Sequence, residues 1–500
     1  MQGSSSLEGC CVSGSKPHRP HAGAQSRNAA WNLLGQVTPF FVAIVAFPVL
    51  LHNLGSEGFG ILSLCWLIVG YVSLLDLGMG RAITQAVAGH PASASEGELA
   101  RLVWTGLALL AGVGMAFFFL AWPLVPVLVT GVLKVSPALR PDTVLTLRWV
   151  AASVPLIVLT AGLRGILEGC HRFRDLNIVR SVLGASLFAV PALLSFAIPN
   201  LPSIAISLAV LRVLGCVGHG WLALRTLPAL RAHGPARRYM RPLYASGGWL
   251  AASNFFGAFI AYLDRLFLSA MLPMATIGYY NTSFEVVSKI IILPVALVSA
   301  WFPSLSHAWA MRREALPGLY REGWWLLFLI IFPLALALAC VAPEGLALWM
   351  GQPFSRETSH IIQWLLLGVF FYSMAHFPYS LIQASGRAYL TARLLLLEIP
   401  AYAMLLVWLI GIAGAEGAAI AWMLRALVDW LILELLLKRE TGSRASLLWL
   451  PVAAGLLIAG MFLVPLPPLM RFVIGATAAC CALYQGLRWL RGIIRPRSAA

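Results

Sequence analysis

Apolar stretches alternate with short polar connections along the chain after residue 27, at a spacing that predicts membrane-spanning helices. A helix needs about 20 consecutive apolar residues to cross the hydrocarbon core of a bilayer. Fourteen stretches meet this requirement, and little of the chain remains for a domain outside the membrane. The pattern therefore predicts an all-α polytopic membrane protein. The predicted spans are 31–51, 58–78, 103–129, 146–166, 180–198, 203–224, 247–271, 283–303, 324–342, 361–382, 394–413, 416–437, 446–466 and 471–490.

Composition agrees with a membrane protein, and the distribution of charge predicts its orientation. Apolar side chains make up 60% of the 500 residues and charged ones only 11%, whereas about 25% of residues in soluble proteins are charged. If the N-terminus is cytoplasmic, 26 of the 35 Lys and Arg residues lie on the cytoplasmic side, five lie outside and four lie within spans. Cytoplasmic loops carry an excess of Lys and Arg. We therefore expect both termini in the cytoplasm, and we attribute the net charge of +16 to contact with anionic lipid rather than to a nucleic-acid partner.

Weak sequence matches at nearly one offset indicate an internal repeat. Segments beginning at residues 58, 166 and 211 resemble segments that begin 220, 215 and 213 positions later. Coincidence among similar apolar helices is the alternative interpretation. The repeat predicts two six-helix bundles in a parallel pseudo-two-fold arrangement, as in many transporters, followed by an added helix pair. The predicted parts are a flexible cytoplasmic tail at 1–27, an N-terminal bundle at 28–240, a C-terminal bundle at 241–440, and a two-helix hairpin with a cytoplasmic tail at 441–500.

Charged residues within predicted spans 7 and 8 are candidates for function. Asp264 and Arg265 lie late in span 7, and Glu285 and Lys289 lie one helical turn apart on the same face of span 8. A charge inside a span is unfavourable unless it has a partner, water or a ligand. Two interpretations stay open at this point. The four residues form a structural ion-pair network between the spans, or they line a cavity that receives a charged substrate.

Two arginines occupy matching positions near the middle of spans 6 and 12. Arg425 has Asp429 one turn away and can pair with it, whereas Arg212 has no acid one turn away. Contact with an anionic substrate or lipid phosphate is one interpretation of Arg212, and pairing with a carboxylate on another helix is the other. Glu398 in span 11 lies close in sequence to Arg393, so we expect it near the membrane surface.

Several sequence patterns that would indicate other functions are absent. The chain has no GxxxxGK(S/T) phosphate loop, no HExxH and no GxSxG. Its eight cysteines show no CxxC or Cys/His spacing typical of a metal site. We therefore expect no enzyme, no metal and no cofactor, which leaves a secondary transporter or a flippase.

The opening of the chain resembles a known family. The matching segments are WNLLG from Trp31, PVLL from Pro48, LGSEGFG from Leu54 and LLDLGMGRA from Leu74. Later echoes are Leu263-Asp264-Arg265, Gly278-Tyr279-Tyr280-Asn281, Lys289 with Leu293-Pro294, and Phe302-Pro303 followed by Ser306. These segments are similar to bacterial polysaccharide-biosynthesis proteins, the oligosaccharide flippases. That group includes Wzx-type O-antigen flippases of the MATE-like multidrug/oligosaccharidyl-lipid/polysaccharide exporter superfamily.

The resemblance implies a function in which an undecaprenyl-pyrophosphate-linked oligosaccharide crosses the bacterial inner membrane by alternating access to a central cavity. It implies a polysaccharide polymerase and a chain-length regulator as partners, beside the lipid-linked substrate and the bilayer. Cationic side chains bind a pyrophosphate through charge-assisted hydrogen bonds. The candidates for this role are Arg212, Arg265, Lys289 and Arg425. Candidate coupling or ion-pair acids are Asp264, Glu285 and Asp429. Candidate sugar contacts are Asn254, Tyr262, Tyr279, Tyr280 and Asn281.

Two alternatives stay open beside the flippase. A MATE-type multidrug or cation antiporter would be expected to carry an acid in its first span, and span 1 here has none. A non-transporting scaffold of envelope assembly would have no need of arginine in the middle of a span. The energy source, whether protons, sodium or membrane potential, is not specified by the sequence, and neither is the glycan.

Overall fold

The computed structural model describes residues 22–72, 79–90, 95–240, 259–441 and 445–494, and all of its regular structure in these segments is helical. A single isolated bridge between Lys134 and Pro273 is the one β-type pairing found there. The described segments contain fourteen α-helices. They are α1 (Ala22–Val72), α2 (Met79–Ala88), α3 (Glu96–Val127), α4 (Arg140–Gly169), α5 (Phe173–Ala197), α6 (Leu201–Thr226), α7 (Leu263–Met271), α8 (Met274–Ser288), α9 (Ile292–Met311), α10 (Leu316–Met350), α11 (Gln352–Ala384), α12 (Ala388–Thr441), α13 (Ala445–Leu463) and α14 (Pro468–Ile494).

The predicted all-α membrane architecture is confirmed. Within the described segments, nine helical stretches are long and apolar enough to cross a membrane. The number is smaller than fourteen because two of these stretches each contain two predicted spans, α13 and α14 have shorter apolar lengths, and span 7 is only partly within the described residues. Predicted span 7 is described only from residue 259 onward.

Helices extend beyond the predicted spans because polar residues near the membrane surface continue the helix. Helix α3 begins at Glu96 rather than at residue 103. The Ser95 side chain accepts a hydrogen bond from the Glu98 backbone N–H, which caps the first turn. Apolar length alone therefore underestimates the helix.

Helix α1 is two antiparallel arms joined by a sharp bend at Gly55, where φ is 70° and ψ is 172°. Phe47 and Trp66 would lie about 28 Å apart on a straight helix at 1.5 Å per residue. Their ring centroids are only 5.7 Å apart, and Phe47 also meets Phe59 edge-on at 5.8 Å. A positive φ favours glycine because it has no Cβ. The two arms correspond to predicted spans 1 and 2.

Helix α12 bends in the same way at Gly414, where φ is 58° and ψ is −134°. Next to this bend, the two arms of α12 pack closely against each other. A Cβ added to Gly417 would lie 2.0 Å from the backbone oxygen of Leu409. Only glycine therefore permits this approach, and the arms correspond to predicted spans 11 and 12.

The helices form two compact units. The first contains the described residues up to Tyr262 together with Pro273–Ala275. In it, α4 packs against α2, α3 and α6, and α1 packs against α5. A Cβ on Gly165 would lie 2.5 Å from the Gly80 carbonyl oxygen, so a small residue lets α2 and α4 approach each other. Fully buried aliphatic side chains of this core include Ile83, Val103, Val154, Val158 and Ile166.

The second unit contains Leu263–Leu272 and the described residues from Thr276 onward. Its central helix is α11, which packs against α9, α10, α12 and α13, while α14 packs against α10 and α7 against α12. Aromatic side chains fill this core. Trp324 stacks on Phe328 at 5.6 Å, and Phe370 meets Phe328 edge-on at 6.1 Å. Edge-to-face and stacked rings add to the packing that holds helices together in lipid.

Candidate functional site

Helices α7 and α8 bring the predicted Asp264 against Tyr280. The Tyr280 hydroxyl donates a hydrogen bond of 2.5 Å to Asp264 Oδ2, and both side chains are fully buried. The other carboxyl oxygen, Oδ1, is also buried and has no hydrogen-bond partner among the described residues. The hydroxyl compensates part of the lost hydration of a buried acid.

Arg265 is buried beside Asp264 and lies against an aromatic surface. Its guanidinium carbon is 3.9 Å from the ring centroid of Phe284, which meets Trp422 edge-on at 5.3 Å. A cation over a ring face is attracted by the ring quadrupole. The contacts hold Arg265 within the second unit, between α7, α8 and α12.

Glu285 and Lys289 form the ion pair that their spacing predicts, with Lys289 Nζ 2.5 Å from Glu285 Oε1. The Lys289 side chain is 33% exposed and that of Glu285 is 43% exposed. Unlike the Asp264 and Arg265 side chains, this pair is accessible. Either side chain can exchange the other for a ligand at a smaller desolvation penalty than a buried side chain would have.

Arg425 forms its salt bridge with Glu398, rather than with Asp429 as its sequence spacing suggested. Arg425 Nε donates to Glu398 Oε2 at 3.3 Å, and the two side chains are 13% and 12% exposed. The bend at Gly414 makes this possible because it folds the first arm of α12 against the second. The sequence predicted that Glu398 lies near the membrane surface, because Arg393 is close to it in the chain. In the structure, the partner of Glu398 is Arg425.

Arg212 is half-buried on α6, between the buried Leu208 and Gly215 in the sequence. No salt bridge to Arg212 is found within the part of the chain that the structure describes. Arg212 thus differs from the other three candidate cations.

Arg212 and Arg425 are 213 positions apart, which is the offset of one of the predicted repeat matches. At the same offset, Ala185 corresponds to Glu398, and Cys216 corresponds to Asp429. Under the predicted repeat, the first half keeps the arginine but has no carboxylate at either of these two positions.

The predicted sugar contacts have different surroundings. The Tyr71 hydroxyl donates a hydrogen bond to the backbone oxygen of Tyr262. Tyr279 meets Phe354 edge-on at 5.3 Å. Both polar atoms of the Asn281 carboxamide are buried, and neither has a hydrogen-bond partner among the described residues. Asn254 lies outside the described residues.

Sequence reasoning missed a second buried acid in the last predicted span of the C-terminal bundle. Glu434 is 1% exposed and accepts a 2.6 Å hydrogen bond from the Tyr320 hydroxyl on α10. The rule that identified Arg425, a charge inside a predicted span, applies equally to Glu434 and could have found it. Within the described segments, no group of three His, Cys, Asp or Glu side chains is arranged to hold a metal ion.

Apolar helices long enough to span a membrane, with ionisable side chains paired inside them, are typical of a multi-pass membrane transport protein. The chain belongs to the polysaccharide biosynthesis protein family, whose profile matches residues 26–309.

Individual relatives agree with this class. The chain is 28% identical over 413 residues to a Shigella flexneri protein whose name assigns it to O-antigen transport, and the alignment covers 83% of this chain and 97% of that relative. Its fold is similar to an inward-facing multidrug resistance MATE family transporter of the MOP superfamily, with a TM-score of 0.66, 14% identity and coverage of 83% of this chain and 99% of the other. It is also similar to the lipid II flippase MurJ in an inward closed conformation, with a TM-score of 0.63, 14% identity and coverage of 93% and 100%.

Proposed function

We propose that the protein is a flippase that moves an undecaprenyl-pyrophosphate-linked oligosaccharide across the bacterial inner membrane by alternating access. The cargo would serve synthesis of an O-antigen, capsule or exopolysaccharide. Family membership and the Shigella flexneri relative support this proposal. The predicted cytoplasmic termini belong to the same proposal, as does delivery of the glycan to a polysaccharide polymerase and a chain-length regulator.

The observation that carries the proposal is the lone guanidinium of Arg212. An arginine inside a span is unfavourable unless an anion or water compensates it. Arg212 has no carboxylate partner in the described structure. A pyrophosphate headgroup supplies the missing charge and accepts several N–H donors of a guanidinium at once. A multidrug antiporter that carries cations would be repelled by such a group.

The other predicted contacts extend the same proposal. The accessible Lys289 would exchange Glu285 for a phosphate oxygen during transport. The carboxamide of Asn281 has the donors and the acceptor that sugar hydroxyls need, and none of them is used within the described structure. Arg265 and Arg425, which lie close to acids and rings, would act as more permanent parts of the substrate path. Tyr262, Tyr279, Tyr280 and Asn254 remain proposed sugar contacts.

The test measures movement of the proposed cargo directly. Purified protein is reconstituted into vesicles that carry a fluorescent undecaprenyl-pyrophosphate oligosaccharide, and the fraction of label exposed on the outer leaflet is followed. We expect the fraction of label on the outer leaflet to change only in vesicles that contain the protein. Deletion of the gene in its host should cause lipid-linked glycan to accumulate in the inner leaflet.

A non-transporting scaffold gives a different pair of results. Its deletion reduces surface polysaccharide, but its vesicles show no more movement of the label than protein-free vesicles. That outcome would contradict the proposed function.

A further inference from the structure

A series of aromatic rings connects the candidate residue Arg265 to helix α11 within the second unit. The Phe284 ring, over which Arg265 lies at 3.9 Å, meets Trp422 edge-on at 5.3 Å. The centroid of the Trp422 ring is 5.9 Å from that of Tyr372, and Tyr372 meets His376 edge-on at 4.8 Å. The rings therefore extend the candidate site from α8, across the second arm of α12, to α11.

Tyr372, His376 and Tyr379 lie on one face of α11, because they are spaced by four and then three residues. Tyr372 and His376 are half-buried, and Tyr379 is 47% exposed. Every other residue between positions 361 and 382 is buried, except Trp364. The central helix of the second unit is thus accessible mainly at this polar aromatic face.

The polar atoms of the face have hydrogen-bonding capacity that the described structure does not use. His376 Nδ1 lies 2.9 Å from the backbone oxygen of Tyr372, so Nδ1 donates and Nε2 is left as an acceptor. Neither Nε2 nor the hydroxyl of Tyr372 or Tyr379 has a hydrogen-bond partner among the described residues. Tyr372 lies about 18 Å from the end of α11 at Ala384, at 1.5 Å per residue. Lipid tails at that depth supply no hydrogen bonds.

Ring faces beside unused donors and acceptors are suited to a sugar. A pyranose ring carries C–H groups that pack on aromatic rings, and its hydroxyls both donate and accept hydrogen bonds. The two tyrosine hydroxyls can donate and accept, and the imidazole nitrogen can accept. The face itself contributes no cation, so it is not suited to the pyrophosphate.

Trp422 supports this face without being part of it. Its side chain is only 4% exposed, and its ring packs beside that of Tyr372. A Cβ added to Gly368 would lie 2.4 Å from the Trp422 ring, so the helices α11 and α12 are in close contact there. The contact fixes the ring of Tyr372 before any ligand arrives, which reduces the entropy lost on binding.

We propose that Tyr372, His376 and Tyr379 form a glycan-binding surface, which holds sugar rings of the lipid-linked oligosaccharide. This proposal rests on the proposed function and adds to it a sugar-binding region on α11, apart from the sugar contacts predicted on α7 and α8. The two hydroxyls and His376 Nε2 bind sugar hydroxyls, and the Tyr372 ring packs against a sugar face. In the proposed orientation, the surface leads from the interior of the span toward the cytoplasmic end of α11.

The test compares the binding of two lipids to the purified full-length protein in detergent, with dissociation constants measured by native mass spectrometry. One lipid is the undecaprenyl-pyrophosphate oligosaccharide extracted from the host, and the other is undecaprenyl pyrophosphate without sugar. We expect the wild type to bind the first more tightly. Tyr372→Phe, His376→Phe and Tyr379→Phe keep an aromatic ring and remove the polar atoms. Each should weaken binding of the oligosaccharide-linked lipid by about threefold to tenfold, as expected for one lost hydrogen bond, and leave binding of the sugar-free lipid unchanged.

His360→Phe is the matched control, because His360 is also on α11 and its ring lies 6.4 Å from that of Phe462. It is 16 positions before His376 in the sequence, or about 24 Å along the helix. This variant should bind both lipids as the wild type does. Circular dichroism and gel filtration establish that each variant is folded.

The proposal is overturned if the three α11 variants bind the oligosaccharide-linked lipid as tightly as the wild type. It is also overturned if they lose affinity for both lipids equally, if His360→Phe weakens binding as they do, or if the wild type binds the two lipids equally. The flippase function itself is judged by movement of the labelled lipid in vesicles. Normal movement together with any of these binding results would therefore contradict the glycan-binding surface and leave the proposed function intact.

Discussion

Tyr320 and Glu434 are 114 positions apart in the sequence, yet the Tyr320 hydroxyl donates a 2.6 Å hydrogen bond to Glu434 Oε2, with both side chains buried. The bond joins α10 to the second arm of α12 inside the second unit. A buried carboxylate needs donors of this kind to compensate for its lost hydration. The relationship identifies a polar link in a core that is otherwise aromatic and aliphatic.

Tyr320→Phe should therefore destabilise the protein, because it leaves a carboxylate oxygen without this donor and changes little in shape. We expect a loss of about 1–3 kcal/mol, measured as a lower midpoint of thermal unfolding in detergent. Tyr389→Phe removes an exposed hydroxyl and serves as the control. Equal midpoints for Tyr320→Phe and wild type would show that this bond contributes nothing.

Gly417→Ala should disrupt the packing of the α12 arms. The new Cβ would lie 2.0 Å from the Leu409 backbone oxygen, and a backbone atom cannot rotate away. Overpacking of this kind costs about 1–3 kcal/mol, so the thermal midpoint and the yield of folded protein should fall.

Gly411→Ala is the matched control for that substitution, because it lies on the same helix and its Cβ would have nothing within 4 Å. It should be neutral or slightly stabilising, since alanine favours a helix over glycine. If both variants unfold at the same temperature, a glycine at position 417 is not required for the close approach of the two arms.

Arg212→Gln should impair transport if Arg212 contacts the anionic headgroup. A hydrogen bond to a charged group is worth about 1.5–3 kcal/mol, so we expect about a tenfold or larger drop in the rate of glycan movement in the vesicle assay, with partial recovery in Arg212→Lys. Arg225→Gln alters another arginine of α6, whose guanidinium carbon is 3.6 Å from the Trp221 ring centroid. It should transport normally, and equal loss in both glutamine variants would refute a specific role for Arg212.

A charge swap at Glu285 and Lys289 separates the two interpretations that the sequence left open. The side chains are 43% and 33% exposed, and exposed ion pairs contribute about 1 kcal/mol or less to stability. We expect Lys289→Ala to keep the thermal midpoint and reduce glycan movement. The double variant Glu285→Lys/Lys289→Glu re-forms an ion pair and should still transport poorly. Full activity of the double variant would instead favour a purely structural pair.

Orientation is tested by cysteine labelling of intact cells with a membrane-impermeant maleimide in a background without the native cysteines. Gly234→Cys lies in a connection predicted to be cytoplasmic, and Gln352→Cys in one predicted to be outside. Only Gln352→Cys should react before the cells are broken. Labelling of Gly234→Cys in intact cells would invert the predicted topology.

The positions of the helices followed from sequence because the bilayer sets the length of an apolar segment and leaves its backbone no hydrogen-bond partners except within the helix. Helix ends were less predictable, as the cap at Ser95 shows. At the site, the spacing of Glu285 and Lys289 was enough to predict their ion pair, since neighbours on one turn need no tertiary information.

The sequence by itself determined the membrane class, the spans, the family resemblance and the presence of charges that need partners. Tertiary structure decided which partner each charge has. Arg425 meets Glu398 because the chain reverses at Gly414, and Arg212 stays without a carboxylate because no reversal in the described structure brings one to it. Those pairings depend on distances of a few ångströms between segments far apart in the chain. Local apolar pattern carries no information about such distances.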